Sequence, residues 1–321
     1  TFGIDWLRNR DVTLNQTVFW NVDFPMGIGF LPTSFVTTGA LGALAWLLFM
    51  AALLYLGARA IVLRTAEDPF IRFVTIFSFG AVVYLLIIAT LLNAGTITLA
   101  FLFVTTGLFA SVLRFSPGKT QWGVIFSKSP RVGFIVVFVL TLVLLGSIVV
   151  AYSLVGRYIA QINIARATQA LSVNDLGKSL TAATQSIAFA PSSIAYQVQA
   201  AVAQRQMAQI ANDTSIPATQ AQQQFQQALA QGITAALAAT QHDPHNYQNW
   251  TTLAGLYAAV VPLGAAGAYD NAKSSYERAL ALHPTSPAIY YQLAQLAVAN
   301  QDANAAREYL KQTIALKQDY T

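Results

Sequence analysis

The sequence predicts an all-α fold, in which about four transmembrane helices precede an α-solenoid of helical repeats. Three observations predict it. Only 10% of the 321 residues are charged, against about 25% in a typical soluble domain. Residues 36–152 are almost entirely apolar, whereas residues 161–321 are polar and rich in Ala and Gln. In this second half a helical pattern recurs along the chain, which is typical of repeat architectures.

Four apolar segments are long enough to be membrane spans, which need about 20 apolar residues each. They cover residues 36–56, 71–92, 96–113 and 132–152. A break of three residues, 93–95, separates the second from the third, and it predicts a tight antiparallel hairpin. No Asp, Glu, Lys or His lies in the middle of a span. Because such residues mark ion paths and proton relays, the pattern argues against an ion-coupled transporter.

The net charge of +5 is concentrated in and beside two short loops between spans. The basic residues there are Arg59, Arg64, Arg72, Arg114, Lys119, Lys128 and Arg131. The positive-inside bias places both loops in the cytoplasm. It therefore predicts a protein of the inner (cytoplasmic) membrane whose N-terminal segment and repeat domain are extracytoplasmic. Basic loops of this kind are topology signals, so membrane lipid is the predicted partner of this half and nucleic acid is not.

These patterns predict three parts: an extracytoplasmic loop segment (1–34), a four-helix transmembrane region (35–155), and a stalk with the repeat domain (156–321). Because the chain starts at Thr1 without methionine and stops directly after a helical stretch, we expect it to be a piece of a longer protein.

Motifs for catalysis or cofactor binding do not stand out in the sequence. The chain has no cysteine, which excludes thiolate nucleophiles and Cys-based metal sites. It also lacks a Gly-rich phosphate loop and a zinc-protease motif. His242, His245 and His283 fall in equivalent turns between predicted helices, which favours solvated surface residues over metal ligands. We therefore predict no catalytic residue, metal or cofactor.

The C-terminal third resembles tetratricopeptide repeats, in which one helix reads Trp-x2-Leu-Gly-x2-Tyr and the next reads Ala-x3-Phe with a later Pro. Two units in tandem follow this spacing, and an insertion of about six residues around Val261 lengthens the turn within the first. The positions that match are the predicted repeat core: Trp250, Leu253, Tyr257, Ala272, Tyr276, Ala279, Pro284, Tyr290, Leu293 and Ala306. Small residues at such positions let paired helices approach, and the aromatic ones fill the gaps between pairs.

Upstream of these units the repeats are degenerate. Residues 176–190, 196–210 and 225–240 read as further helices, which makes about three to four helix pairs between residues 170 and 321. The resemblance implies that a protein or peptide binds in the groove lined by the first helix of each pair. The predicted partner-binding residues are Gln248, Thr251, Tyr291 and Gln295.

A second resemblance covers residues 14–45. Asn15, the run Phe19-Trp20-Asn21 and Phe24, followed by the run 35–42 with Gly39 and Gly42, are similar to the C-terminal part of bacterial O-antigen ligase and polymerase-like membrane proteins. This resemblance implies a lipid-linked glycan as a partner. Family members carry a histidine ahead of the segment that re-enters the membrane, and residues 24–31 contain none. Since Arg8 and Arg10 are the only cations here, we do not expect activity within this chain.

Two functions remain open at this point. The first is a membrane-anchored tetratricopeptide scaffold that binds a protein or peptide outside the membrane. The alternative is the C-terminal part of an O-antigen ligase-like glycosyltransferase that acts on lipid-linked polysaccharide, with its active site assembled from spans ahead of Thr1. The sequence does not name a partner, a sugar or an oligomeric state.

Overall fold

The computed structural model describes residues 2–63, 68–113 and 130–320. It confirms the all-α fold class, since the described residues form twelve α-helices and no strand. The chain divides into two compact units, one of Thr1–Trp6 with Asp23–Val137 and the other of Leu7–Val22 with Phe138–Thr321. Four of the predicted basic-loop residues, Arg64, Arg114, Lys119 and Lys128, lie outside the described residues.

The first unit contains the apolar helices. After α1 (Phe2–Asn9), the long helix α2 (Phe30–Ala58) continues as a π-helical turn to Leu63, and α3 (Pro69–Leu91) and α4 (Thr96–Val112) follow. The core lies between α2, α3 and α4 and includes Leu53, Val82 and Phe109. As the short break at residues 93–95 predicts, α3 and α4 pack side by side.

Three helices are long and apolar enough to cross a membrane: residues Phe30–Val62, Pro69–Leu91 and the helix that starts at Pro130. The third predicted span, α4, has 17 residues, which is at the lower limit for crossing about 30 Å of hydrocarbon.

The first predicted span begins earlier in the structure than in the sequence analysis, at Phe30 rather than residue 36. It is also broken, because Gly39 has a positive φ of 69° inside α2. A residue without a Cβ adopts this conformation at no steric cost. Gly29, just before α2, lies so close to the carbonyl of Thr90 that a Cβ would collide with it. The backbone of the following residue, Phe30, donates to the carbonyl of Leu92.

The second unit is an array of paired helices. Its elements are α5 (Pro130–Ser172, of which Phe138 onward belongs to this unit), α6 (Leu176–Phe189), α7 (Ser193–Asn212), α8 (Ala218–His242), α9 (Tyr247–Ala258), α10 (Ala268–Leu282), α11 (Pro287–Ala299) and α12 (Ala303–Leu316). The six-residue insertion forms a 3-10 turn, Val261–Leu263. Gly264 and Gly267, which follow it, have positive φ.

The end of α5 forms the first helix of the array, where the sequence predicted a stalk. Ala160 and Ala167 are buried on it, and their carbonyls accept hydrogen bonds from Ser186 and Ser179 of α6 at 3.0 and 2.9 Å. The pairs are therefore α5–α6, α7–α8, α9–α10 and α11–α12, at the upper end of the predicted three to four.

Candidate functional site

Two apolar clusters hold the last three pairs together. One contains Leu253 with residues of α7 and α8, and the other contains Ala272, Tyr276, Ala279 and Leu293. Trp250 and Tyr257 are half-buried and pack against both clusters. Each pair thus depends on its neighbours for a continuous core, as repeat proteins do. Burial in this core raises the pKa of Tyr276 to about 12.

The other predicted core positions vary in burial. Ala306 is buried, Tyr290 is half-buried and Pro284 is exposed. Pro284 therefore lies in the turn that follows α10 and contributes no buried surface.

The four predicted partner-binding residues lie on the first helices of the last two pairs. Gln248 is exposed and Thr251 is half-buried on α9, one turn apart, while Tyr291 and Gln295 are exposed one turn apart on α11. The Thr251 hydroxyl donates to the backbone carbonyl of Gln248 at 3.0 Å. These residues give each helix an uncharged polar or aromatic face that the core does not use.

In the turn between α8 and α9, side chains of the repeats donate hydrogen bonds to backbone carbonyls. The amide of Asn249, fully buried at 0% exposure, donates to the carbonyls of Ala239 at 3.0 Å and Asp243 at 2.7 Å. Its oxygen accepts from Gln197 of α7 at 2.5 Å. The indole of Trp250 donates to the carbonyl of Pro244 at 2.8 Å. Side chains of the repeats themselves thus pair three carbonyls around this turn.

The next turn, between α10 and α11, has different residues at both of these positions. Ile289 lies three residues after the helix cap Ser286, as Asn249 lies three residues after the cap Asn246, and Tyr290 follows it in place of Trp250. Ile289 has no side-chain donor, and it is buried in the apolar cluster. A side-chain donor reaches this turn from the N-terminal segment Leu7–Val22, but at a different carbonyl. The amide of Asn15 donates to the carbonyl of Thr285 at 2.8 Å, and Thr285 occupies the position of His245 in the preceding turn.

The same segment reaches the end of α12. The amide of Gln16 donates to the carbonyl of Leu316 at 3.2 Å, one of the carbonyls that a helix C-terminus leaves unpaired. The Trp20 ring contacts the Tyr320 ring edge-on at 5.5 Å, and the Lys317 ammonium lies 5.5 Å from the centre of the Trp20 ring. The segment thus contacts the C-terminal ends of two successive second helices.

Arg10 stabilises the conformation of the segment Leu7–Val22. Its guanidinium donates to the Asn15 side-chain oxygen and to the Trp20 carbonyl, both at 2.9 Å. Arg10 is only 5% exposed and Asn15 is 0% exposed. Hydrogen bonds to a charged donor are about twice as strong as neutral ones, so Arg10 fixes two of the three residues that contact the repeats, Asn15 and Trp20.

The prediction that all three histidines are solvated surface residues is wrong for His283, which is 4% exposed. His283 begins the turn in which Asn15 contacts Thr285, and its ring packs edge-on against Tyr247 at 4.9 Å. Its pKa is lowered to about 4, first because burial disfavours the charged ring and second because of the nearby charge of Arg10. His242 and His245, in the preceding turn, are exposed. Across residues 2–63, 68–113 and 130–320, no three His, Asp or Glu side chains are grouped as metal ligands would be.

The predicted partner face adjoins the segment at one residue. The Tyr291 ring lies 5.4 Å from the Tyr320 ring, which Trp20 also contacts. Burial, and then the neighbouring Tyr291, raise the pKa of Tyr320.

Comparison with known proteins supports the assignment of tetratricopeptide-type repeats near the C-terminus. A family model described as tetratricopeptide repeat matches residues 264–321, which covers α10, α11 and α12. No curated protein matches the chain. The family match does not extend to residues 14–45, so the resemblance to O-antigen ligases stays a prediction.

The sequence analysis missed the residues that join the segment to the repeats, namely Arg10, Asn15, Trp20, Lys317 and Tyr320. Asn15 and Trp20 had been noted only for the ligase resemblance. The partners lie up to 300 residues apart, and no periodic pattern in a single sequence relates positions at that separation.

Proposed function

We propose that this protein is a membrane-anchored scaffold whose tetratricopeptide repeats bind a protein or peptide. The observation that carries the proposal is the exposed face of α9 and α11, with Gln248, Thr251, Tyr291 and Gln295, above a core that is complete without them. Tetratricopeptide repeats stack into concave surfaces that bind partners. Exposed aromatic and uncharged polar residues suit such contacts, because Tyr supplies a large rigid area and Gln adaptable hydrogen bonds.

The test of partner binding is site-specific photocrosslinking in cells. A photoreactive phenylalanine analogue replaces Gln248, Tyr291 or Gln295 in turn, and matched controls carry it at Glu308 or Lys311, which are exposed on α12. We expect one crosslinked partner shared by the three face positions and missing at the controls. Crosslinks that are equal at face and control positions would reject the face as a binding site.

The apolar helices of the first unit anchor the repeats in this proposal. Their large side chains point outward in many places, including Phe73, Phe77 and Phe101, which are each at least 60% exposed. A surface of this kind needs lipid or another apolar cover. From the basic loops, we propose that the repeats are extracytoplasmic and that the protein lies in the inner membrane.

The orientation is tested with single cysteines, since the chain has none of its own. Asp302→Cys lies in the repeat domain and Lys119→Cys in the basic loop. A membrane-impermeant maleimide added to intact cells is expected to label the first variant and not the second. Labelling of Lys119→Cys alone would place the repeats in the cytoplasm and remove the extracytoplasmic part of the proposal.

The state of Arg10 argues against glycosyl transfer by the N-terminal segment itself, and it does not bear on an active site assembled ahead of Thr1. A glycosyl transfer from a lipid diphosphate needs a base for the sugar hydroxyl or cations for the leaving group. Arg10, one of the two cations of the N-terminal segment, is buried and bonded to Asn15 and Trp20. Arg8 is exposed, and a lone arginine does not make a diphosphate site.

A further inference from the structure

The segment Leu7–Val22 has the construction of a preformed peptide ligand. It contains the 3-10 turn Val12–Gln16, which Asp11 caps by accepting from the Thr13 backbone at 2.8 Å. Hydrogen bonds from the Thr13 backbone and hydroxyl lower the pKa of Asp11. Arg10 closes the loop by bonding Asn15 and Trp20. A loop that is already ordered by its own contacts loses less conformational entropy on binding.

Three side chains of the segment make well-defined contacts with the repeats. Asn15 and Gln16 each donate one hydrogen bond to a backbone carbonyl, and Trp20 provides one aromatic anchor between Tyr320 and Lys317. Val18 and Phe19, between these anchors, are 82% and 52% exposed. The repeats therefore recognise Asn, Gln and Trp in a turn and leave Val18 exposed. A contact of this size is one that another peptide can replace.

The surface that receives the segment (the receiving surface) lies at the C-terminal ends of α10 and α12, and its turn differs in sequence from the preceding turn of the array. The α8–α9 turn pairs its carbonyls through Asn249 and Trp250. The α10–α11 turn has Ile289 and Tyr290 at those positions and receives its side-chain donor from Asn15. Lys317 is 7% exposed beneath Trp20. Asn15 thus adds a side-chain hydrogen bond to a turn in which Ile289 replaces the donor Asn249.

We propose that the C-terminal ends of α10 and α12 form a second peptide-binding site, and that Leu7–Val22 is its resident ligand, bound in cis. This turn-edge site adjoins the α9–α11 face of the proposed function through the contact between Tyr291 and Tyr320. It is tested with a peptide of residues 7–22, which does not require a partner at that face. The site selects a peptide turn with an Arg-stabilised Asn, an adjacent Gln and a Trp five residues after the Asn. While the cis segment is bound, it excludes any peptide of this kind supplied from outside.

The test uses the full chain in detergent or nanodiscs and a fluorescein-labelled synthetic peptide of residues 7–22 as the probe. The opened variant carries Asn15→Ala and Trp20→Ala, which remove two of the three anchors from the cis segment and leave the receiving surface intact. We expect fluorescence anisotropy to show about 100-fold tighter peptide binding by the opened variant than by the wild type. That factor follows if a tethered ligand at roughly millimolar effective concentration competes with a peptide whose Kd is about 10 µM.

Two controls locate the site. Adding Tyr320→Ala to the opened variant is expected to reduce peptide binding at least tenfold, and a peptide with the Asn15→Ala and Trp20→Ala changes is expected not to bind. Binding that survives Tyr320→Ala, equal binding to wild type and opened variant, or no binding to either would overturn the proposal.

A second measurement does not depend on the opened variant remaining folded. Gln16→Cys and Gln318→Cys are both at exposed positions near the Gln16–Leu316 contact, and a short bismaleimide is expected to join them. The control pair is Gln16→Cys with Asn300→Cys. Asn300 lies beyond the opposite end of α12, about 20 Å away for a helix of 14 residues. Efficient crosslinking of the control pair, or none of the test pair, would contradict the cis contact.

Crosslinking of the test pair also shows whether the bound segment prevents an added peptide from binding. The uncrosslinked cysteine chain lacks the Gln16 anchor and is expected to bind the peptide at least as tightly as the wild type, and crosslinking is expected to abolish this binding. Unchanged peptide binding after crosslinking would show that the segment does not occupy the site of the added peptide.

Discussion

The two turns between the last three helix pairs follow the same plan and pair their carbonyls in different ways. In the α8–α9 turn, Asn249 and Trp250 of the following helix donate to the carbonyls of Ala239, Asp243 and Pro244. In the α10–α11 turn, Asn15 donates from a segment at the other end of the chain. The first turn leaves its histidines exposed, and the second buries His283. A repeat motif thus specifies where a turn occurs and leaves open which group completes it.

The largest effect is expected for Asn249→Ala. The change removes three hydrogen bonds of a fully buried amide and leaves the Gln197 amide and two carbonyls without this partner. Each buried group left unpaired costs about 1–3 kcal/mol, so we expect the opening free energy of α8 and α9 to fall by about 3 kcal/mol. Hydrogen exchange of their backbone amides measures it.

The matched control for Asn249→Ala is Gln248→Ala, next to it on α9 and exposed. The control is expected to change stability by no more than about 0.5 kcal/mol, as exposed surface substitutions usually do. If the two variants behave alike, Asn249 does not hold this turn together.

The second effect is a pH dependence confined to the covered turn. The pKa of His283 is about 4 in the folded protein and about 6.5 when unfolded. The unfolded state therefore binds more protons between these values, and the stability that is fully present above pH 6.5 is lost as the pH falls towards 4. We expect hydrogen exchange to show a loss of about 2 kcal/mol around the α10–α11 turn between pH 7 and pH 5.

His283→Phe keeps a ring against Tyr247 and removes the titrating group. It is expected to abolish this pH dependence, whereas His242→Phe, at an exposed position in the other turn, leaves it in place. A pH dependence that survives in His283→Phe would assign it to another group.

A smaller effect is expected for Asn15→Ala. Thr285 loses its donor and Arg10 loses one acceptor, at a cost of about 1–2 kcal/mol that relaxation of the segment towards water reduces. Exchange is expected to rise in the α10–α11 turn and to stay unchanged in the α8–α9 turn. The control is Asn21→Ala, at an exposed position of the same segment. Equal changes in both turns would show that the segment stabilises the whole array and not one turn.

The smallest effect is expected for Trp250→Phe. The aromatic ring stays in the core, and the Pro244 carbonyl loses its indole donor near the surface, where water can replace it. The Arg278 guanidinium, 5.0 Å from the centre of the Trp250 ring, keeps an aromatic partner that attracts it less. We expect a loss of about 0.5–1 kcal/mol by thermal unfolding. A loss of stability as large as that of Asn249→Ala would mean that the indole hydrogen bond stabilises this turn as much as the hydrogen bonds of Asn249 do.

Much of the fold could be predicted because its signals are local. Apolar segments of sufficient length indicated α2, α3 and α5, and helical periodicity placed α6, α7 and α8 to within a few residues at most boundaries except the start of α8. The start of α2 and the break at Gly39 were not predicted, because they depend on contacts with residues near the end of α3 and on a positive φ. The role of the end of α5 in the first pair was missed, since its small buried residues, Ala160 and Ala167, do not differ in type from those of a stalk.

The sequence alone determined the helices, the repeat units with the turns between them, and the long apolar helices, because each is encoded by the type and spacing of residues close together in the chain. Only the tertiary structure decided that Leu7–Val22 packs with the repeats, that the Asn15 amide donates to the Thr285 carbonyl, and that His283 is buried. The physical reason is that a hydrogen bond requires proximity in space. Proximity between positions 270 residues apart leaves no periodic trace in a single chain.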